Sequence, residues 1–320
     1  MHPLNMSRMD NSFTRDLAAG LVRLGIVVEP FSRRRAFTSA PDIVHIHWPE
    51  ALVSHPVRLM ANLKALVFFF AIITWRLRRT RLVATVHNIT PHEDLAGVRS
   101  RIVDFWWRSA DERVYLSDEV RKQAPMGPGT FVPHQSYSPL ASANTEHAGH
   151  ILLFGFLRRY KSIESVISAS ARTESPVPVR IVGAPIPSAY GDELVAQCAA
   201  LSNVTIELGA LDDEDLHRAV AQASAVIVPY PHLYSSGAVI LAMSVGVPVI
   251  LVDSPVAREL QQEFGRDAVS LLPEGWGGAD LESAYRWSVS APRPVGESSI
   301  AARNPDSIAF RYSAIYRGET

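Results

Sequence analysis

A chain of 320 residues is longer than one hydrophobic core usually serves, which predicts two domains of ordinary size. Apolar content of 47% with 20% charged residues excludes a disordered or low-complexity chain, and the single cysteine, Cys198, excludes an internal disulfide framework and fits the cytoplasm. The net charge of −1 is uneven, with 18 Lys and Arg against 13 Asp and Glu (+5) in residues 1–150 and 13 against 19 (−6) in residues 151–320, yet no basic stripe interleaved with aromatics marks a nucleic-acid surface.

In chain order, the opening MHPLNMSRMD lacks the apolar core of a secretory signal. Strands are expected at Gly25–Phe31, Asp42–Trp48, Arg81–His87, Glu112–Leu116 and Gly129–Pro133, which makes residues 1–140 a first α/β domain. The longest apolar run, Ala65–Trp75, is about half of the ~20 residues that a membrane-spanning helix requires. Arg58 and Lys64 precede it and RLRRTR, Arg76–Arg81, follows. Arg58–Arg81 therefore reads either as a buried helix with a solvated basic end or as a peripheral contact with the anionic inner face of a cell membrane. His134–His150 has the Ser, Ala, Asn and Gly content of a linker.

The second half has apolar, β-branched runs at His150–Phe156, Val177–Gly183, Asn203–Leu208, Ser224–Tyr230, Val247–Asp253 and Ala268–Leu272, separated by helical patterns. Strands apolar throughout and alternating with amphipathic helices predict a parallel sheet covered on both faces, a doubly wound α/β domain over residues 141–303. Asn304 and Pro305 suit the N-cap and first turn of a terminal helix within residues 304–320.

Chemistry is expected where strands end, because ligands bind beyond the carboxyl ends of parallel strands. After Tyr230, Ser235, Ser236 and Gly237 open an apolar helix, either as an ordinary serine N-cap or as a cradle of amides and hydroxyls for a phosphate. After Phe156, the sequence FGFLRRYKS brings Gly155, Arg158 and Lys161 to the same kind of edge, with Arg159 either joining them or simply solvated. Cations beside a serine-glycine helix start make a diphosphate site. No Walker-type or G-x-G-x-x-G sequence occurs.

In the first half, HIHWPE (His45–Glu50) and VHNITPHE (Val86–Glu93) leave buried strands and at once present His, Asn and Glu. His87, His92 and Glu93 are the candidate catalytic groups, able to orient a substrate hydroxyl or move a proton. A metal site is not expected, since the histidines lack a ligand spacing such as H-E-x-x-H.

The ordered series DIVHIHWPE, VHNITPHE, FVPHQSY, ILLFGFLRRYKSIESVI, VRIVGAP, ASAVIVPY and SSGAVILAMSVGVPVILVD resembles a bacterial glycosyltransferase of the GT-B type, the kind that builds exopolysaccharides or glycolipids. The resemblance implies two facing Rossmann-like domains with the terminal helix crossing back to the first. It implies a nucleotide-diphosphate sugar as donor, a lipid-linked or polysaccharide acceptor, and neither metal nor cofactor. Carried over, Gly155, Arg158, Lys161, Tyr230, Ser235, Ser236 and Gly237 would hold the donor, and His87 would sit near the transferred sugar.

Departures from the family pattern are that Leu233 and Leu241 stand where many retaining relatives carry two glutamates and that Phe156 replaces a frequent arginine. The usual first strand is also weak before NSFTRDLAAGLVRLG, which bears on acceptor binding. Two other readings are a non-catalytic GT-B-like partner of an active transferase and a GT-B epimerase.

Overall fold

The computed structural model describes residues 1, 11–87, 95–137, 149–290 and 297–319. The chain divides into two compact units, Met1–Gln135 with Arg303–Thr320, and Ser136–Ala302.

The first unit holds a parallel sheet of β1 (Ile43–Ile46), β2 (Arg81–Val86), β3 (Glu112–Tyr115) and β4 (Thr130–Phe131), paired in that order. β2 is apolar apart from Arg81 and Thr85 and is buried from Leu82 onward, as expected of a strand covered on both faces. Beside it, the Ser12–Arg23 helix starts at Asn11, whose side chain accepts the Phe13 N–H at 2.9 Å. The terminal helix Pro305–Arg317 starts in the same way, with the Asn304 carboxamide accepting the Asp306 N–H at 2.9 Å. Phe13, Leu17 and Leu21 of one and Ile308, Tyr312 and Ile315 of the other join Val83 and Val114 in a single core.

The expected strand Gly25–Phe31 does not form. A strand requires a paired neighbour, and among the described residues β1 pairs only with β2. The segment instead meets Met1, whose amino group donates to the Glu29 carbonyl at 2.9 Å and whose carbonyl accepts the Phe31 N–H at 3.0 Å. Val27 is 87% exposed. The segment lines a cavity of about 620 Å³ together with Val44, Trp75 and Tyr316.

The apolar run Ala65–Trp75 belongs to a longer helix, Arg58–Leu77, of 20 residues, long and apolar enough in composition to cross a membrane. Ala61, Ala65, Phe68, Ala71, Ile72 and Trp75 are buried, so one face is part of the first unit's packing. Leu59, Leu63, Leu66 and Phe70 lie exposed on another. The linker composition of His134–His150 also misled at its start: His134, Gln135 and Ser136 are buried, and the Gln135 amide donates to the Phe13 carbonyl at 3.0 Å. Residues 138–148 lie outside the described residues.

The second unit is built on β5 (Ile151–Phe154), β6 (Val179–Gly183), β7 (Val204–Leu208), β8 (Ala225–Val228), β9 (Val249–Val252) and β10 (Val269–Leu272). The sheet is parallel throughout, ordered β10-β9-β8-β5-β6-β7. Chain direction across the sheet reverses between β5 and β8, and in such sheets the ligand site lies at the carboxyl ends of the two strands flanking the reversal. β5 and β8 are fully buried and apolar, which fixes them at the centre.

Gly20 is where the two terminal helices of the first unit touch, since a Cβ there would lie 2.6 Å from the Ala309 Cβ. Alanine normally stabilises a helix interior relative to glycine by about 0.5–1 kcal/mol. Here overpacking outweighs that gain, and Gly20→Ala is expected to cost about 1–3 kcal/mol. Thermal unfolding would register this as a lower Tm, and an unchanged or raised Tm would contradict the packing.

Candidate active site

β5 ends at Phe154, and the chain turns on Gly155 at φ +96°, a conformation that favours glycine. The turn stays zipped to the neighbouring strand: Gly155 N–H donates to Val182 O at 3.1 Å and Leu157 N–H to Ala184 O at 2.8 Å. Gly183 has no room for a side chain, because a Cβ would fall 1.8 Å from the Gly155 carbonyl oxygen. Leu157 is buried, and a 3₁₀ turn over Arg159–Lys161 then sends Lys161 back under the glycine. A Cβ on Gly155 would sit 3.2 Å from the Lys161 Nζ.

Lys161 is buried at 8% exposure, with its ammonium 5.3 Å from the centre of the Tyr230 ring. Burial, reinforced by the nearby Arg158 charge, lowers its pKa to about 8. Tyr230 follows β8 and meets Tyr160 edge-on at 5.9 Å. The structure thus brings Gly155, Arg158, Lys161 and Tyr230 together at the reversal point. Neither Arg158 nor Lys161 forms an ion pair with a carboxylate among the described residues, whereas Arg159 binds Glu193 at 2.6 Å and stacks on Tyr190. Arg159 is therefore committed to its own unit's surface.

Past Tyr230, Ser235, Ser236 and Gly237 are half-buried at the start of the Gly237–Ser244 helix. The Ser236 hydroxyl accepts the Val239 N–H at 3.4 Å, the geometry of an N-cap. This start lies at the carboxyl edge of β8, the same edge that carries Lys161 after β5. Leu233 and Leu241, at the family's glutamate positions, are both buried. Asp253 forms two 2.7 Å hydrogen bonds with the Arg258 guanidinium, which lower its pKa and make it a poor base.

The carboxyl ends of β1 and β2 in the first unit carry a cluster of imidazoles. His45 and His47 alternate on one face of the strand and their rings lie 4.2 Å apart. His45 is held by the Tyr316 hydroxyl at 2.7 Å and the Thr85 hydroxyl at 2.8 Å. His47 Nδ1 lies 3.0 Å from His87 Nε2, and the Trp48 ring stacks on His87 at 4.1 Å. Phe13 stands edge-on to both rings and contacts His134, whose Nδ1–H donates to the Gln135 carbonyl at 2.7 Å. Burial is the first cause of lowered pKa values at His45, to about 3, at His134, to about 4, and at His87, well below the ordinary value. His92 and Glu93, the other candidate catalytic groups, lie outside the described residues.

Residues 148–275 match the family described as Glycosyl transferases group 1. The second unit is a glycosyl transferase group 1 domain. Across 266 residues, 82% of this chain and 76% of the relative, the sequence is 27% identical to a GDP-mannose:glycolipid 4-beta-D-mannosyltransferase of Xanthomonas campestris pv. campestris. Two solved structures share the architecture. Anabaena Alr3699/HepE in complex with UDP and glucose is 15% identical, with 98% of each chain covered and a TM-score of 0.68. Sucrose-phosphate synthase from Thermosynechococcus elongatus is 18% identical, with 99% of this chain and 81% of the other covered and a TM-score of 0.64. The α/β fold with two parallel sheets is GT-B, and the chain is a glycosyltransferase.

In this transferase domain the reversal point between β5 and β8 carries four of the expected donor-binding residues, while the serine-glycine helix start doubles as an ordinary cap. What sequence reasoning missed is the packing around His87. His47 and His134 were not singled out, although the alternation H-x-H on a strand signals two imidazoles on one face.

The sign of the imidazole effect follows from proton counting. The unfolded chain binds a proton at each histidine below about pH 6.5, while folded His45, His87 and His134 stay neutral, so stability falls as pH drops below that value. At pH 5 the loss is on the order of 2 kcal/mol each for His45 and His134, and His87 adds to it in the same direction. Tm measured from pH 8 to pH 5 is expected to decline steeply below 6.5. A flat profile would mean that these rings are solvated.

Proposed function

We propose that this chain transfers mannose from GDP-mannose to a lipid-linked glycan acceptor, without a divalent cation, while resting on a membrane through the exposed face of the Arg58–Leu77 helix. One observation carries the donor half: Arg158 and Lys161 converge at the β5–β8 reversal point with no carboxylate partner among the described residues. A buried ammonium without a counter-ion is an anion site in waiting. A diphosphate there would be neutralised by Arg158 and Lys161 and approached by Gly155 and by the first amides after Ser235, Ser236 and Gly237. Charge develops on the departing GDP in the transition state, and fixed cations stabilise it without a metal ion.

GDP-mannose is favoured over a UDP-sugar because the relative that names it aligns over 82% of this chain, whereas the UDP complexes share the fold alone. A β-mannoside formed from the α-configured donor requires inversion at the anomeric carbon. Inversion calls for one base at the acceptor hydroxyl rather than the glutamate pair of the retaining pattern, and Leu233 and Leu241 accord with that. His87 is the base we assign.

The donor assignment predicts that GDP-mannose raises Tm more than UDP-glucose does, with EDTA making no difference. Lys161→Met is expected to weaken GDP binding roughly ten- to a hundredfold, as for losing a charged hydrogen bond. A Tm that no nucleotide raises would point instead to a non-catalytic partner subunit.

Membrane contact is supported by the line of exposed Leu59, Leu63, Leu66 and Phe70 beside Arg58 and Arg79. Phe70→Glu and Leu63→Glu together are expected to abolish co-sedimentation with phosphatidylglycerol vesicles while leaving donor protection intact. Unchanged sedimentation would remove this helix from the membrane surface.

A further inference from the structure

The described residues lining the cavity of about 620 Å³ all belong to the first unit, and its volume falls in the roughly 300–1,000 Å³ range of small-molecule pockets. Gly25–Phe31 and β1 both line it without pairing to each other. Leu21, Ile26, Val28, Ile43, Val44 and Trp75 give it apolar walls. Glu29 and Arg35 also line it and neutralise each other in a 2.6 Å ion pair. Arginines gather where the chain approaches the amino ends of β1 and β2. Arg33 and Arg34 share the Arg33–Thr38 helix with Arg35, and the Arg78 guanidinium donates to the Phe37 carbonyl at 2.6 Å and to the carbonyl of Ser39, another lining residue. The Thr80 hydroxyl donates to the Pro41 carbonyl at 2.9 Å and ties the two approaches together. Asp111 neutralises Arg76, whereas Arg33, Arg34, Arg78 and Arg79 are exposed and form no ion pair with a carboxylate among the described residues. The same arginine stretch ends the Arg58–Leu77 helix, where Leu77 is 80% exposed.

The geometry points to a binding site for a single anionic phospholipid, with one acyl chain in the cavity and the phosphate among Arg33, Arg34, Arg78 and Arg79. An apolar space bordered by cations matches the two chemistries of such a lipid, and guanidinium is the side chain best shaped for phosphate. A tail that moves from a bilayer into an apolar cavity exchanges one hydrocarbon environment for another. The arginines therefore decide which lipid is taken, and they select a negative head. The lipid is one of the surrounding membrane rather than the anchor of an acceptor. The arginines lie at the amino ends of β1 and β2, whereas the imidazole cluster lies at the carboxyl ends of the same strands. Such a site holds the first unit to a membrane through one defined molecule, in addition to adsorption of an apolar helix face. The inference stands apart from the transfer reading and shares only the Arg58–Leu77 helix with the membrane reading.

The test uses the full chain with vesicles of equal phosphatidylglycerol and phosphatidylcholine, carrying a diazirine on an acyl chain of one lipid or the other. After irradiation the labelled residues are mapped by mass spectrometry. Phosphatidylglycerol is expected to label Gly25–Phe31 or Ile43–His45 at least about tenfold more than phosphatidylcholine does. Val28→Trp, which fills the cavity, should abolish that labelling and leave labelling of Leu59, Leu63, Leu66 and Phe70 unchanged. Arg33→Gln, Arg34→Gln and Arg79→Gln together, all on exposed side chains, should erase the preference for phosphatidylglycerol. Labelling confined to the helix face, equal cavity labelling by both lipids, or cavity labelling that survives Val28→Trp would each overturn the proposal. Should Val28→Trp fail to fold, a phosphatidylglycerol preference that persists in the triple arginine variant overturns it equally. If the wild-type chain does not sediment with vesicles, it is irradiated with diazirine-bearing dihexanoyl phosphatidylglycerol below its micelle concentration. Cavity labelling there would sink the membrane reading and sustain the lipid site, and its absence would sink the site itself.

Discussion

An ammonium removed from water and given no carboxylate among the described residues is a costly feature of the second unit, and the surrounding structure holds it there. Lys161 reaches its position because Gly155 turns the chain with a positive φ, Leu157 anchors the loop to the neighbouring strand and a short 3₁₀ turn folds the lysine back toward the sheet. Tyr230 supplies a π face rather than a negative charge. Burial lowers the pKa to about 8, so the group is still a cation at neutral pH. Such an arrangement is stable only as part of a packed unit, and it has a use only if an anion arrives.

The topology explains why the cation sits where it does. In a sheet ordered β10-β9-β8-β5-β6-β7 the strand order reverses between β5 and β8, the point where doubly wound sheets take ligands beyond the strands' carboxyl ends. The glycine turn, the lysine, the tyrosine and the serine-capped helix all begin within a few residues of those two ends. Neighbouring arginines are spent elsewhere: Arg159 on Glu193, Arg180 on Glu207 and Arg258 on Asp253. Among the described residues Arg158 and Lys161 form no ion pair with a carboxylate, unlike these three arginines.

The first unit uses a different device. Its strand ends carry neutral imidazoles packed among aromatic rings, with the terminal helix supplying Tyr312 and Tyr316 to the same core. Neutral rings tolerate burial where hydroxyls, carbonyls and one another meet their hydrogen bonds, as at His45, at His134 and at the His47–His87 contact. The unit thereby holds proton-accepting groups in fixed orientations without the desolvation cost that a carboxylate would bring.

Much of this was legible in the amino-acid order. The six apolar runs of the second half, the caps at Ser236 and Asn304 and the cation-bearing turn after Phe154 depend on local pattern, and local pattern follows from side-chain periodicity and capping chemistry. Other features depend on neighbours that are distant in sequence. Gly25–Phe31 has a strand's composition and, among the described residues, lacks a strand's partner. Asp253 and Arg159 have the residue types of an active site and are neutralised by Arg258 and Glu193. His47 meets His87 across 40 residues, and Phe13 joins both from the opening helix. The sequence by itself determined which strands would be buried and what chemistry their ends would carry, because burial and capping are decided residue by residue. Only the tertiary structure decided which charges remained unpaired and which imidazoles touched, because pairing is a property of two positions brought together by the whole fold.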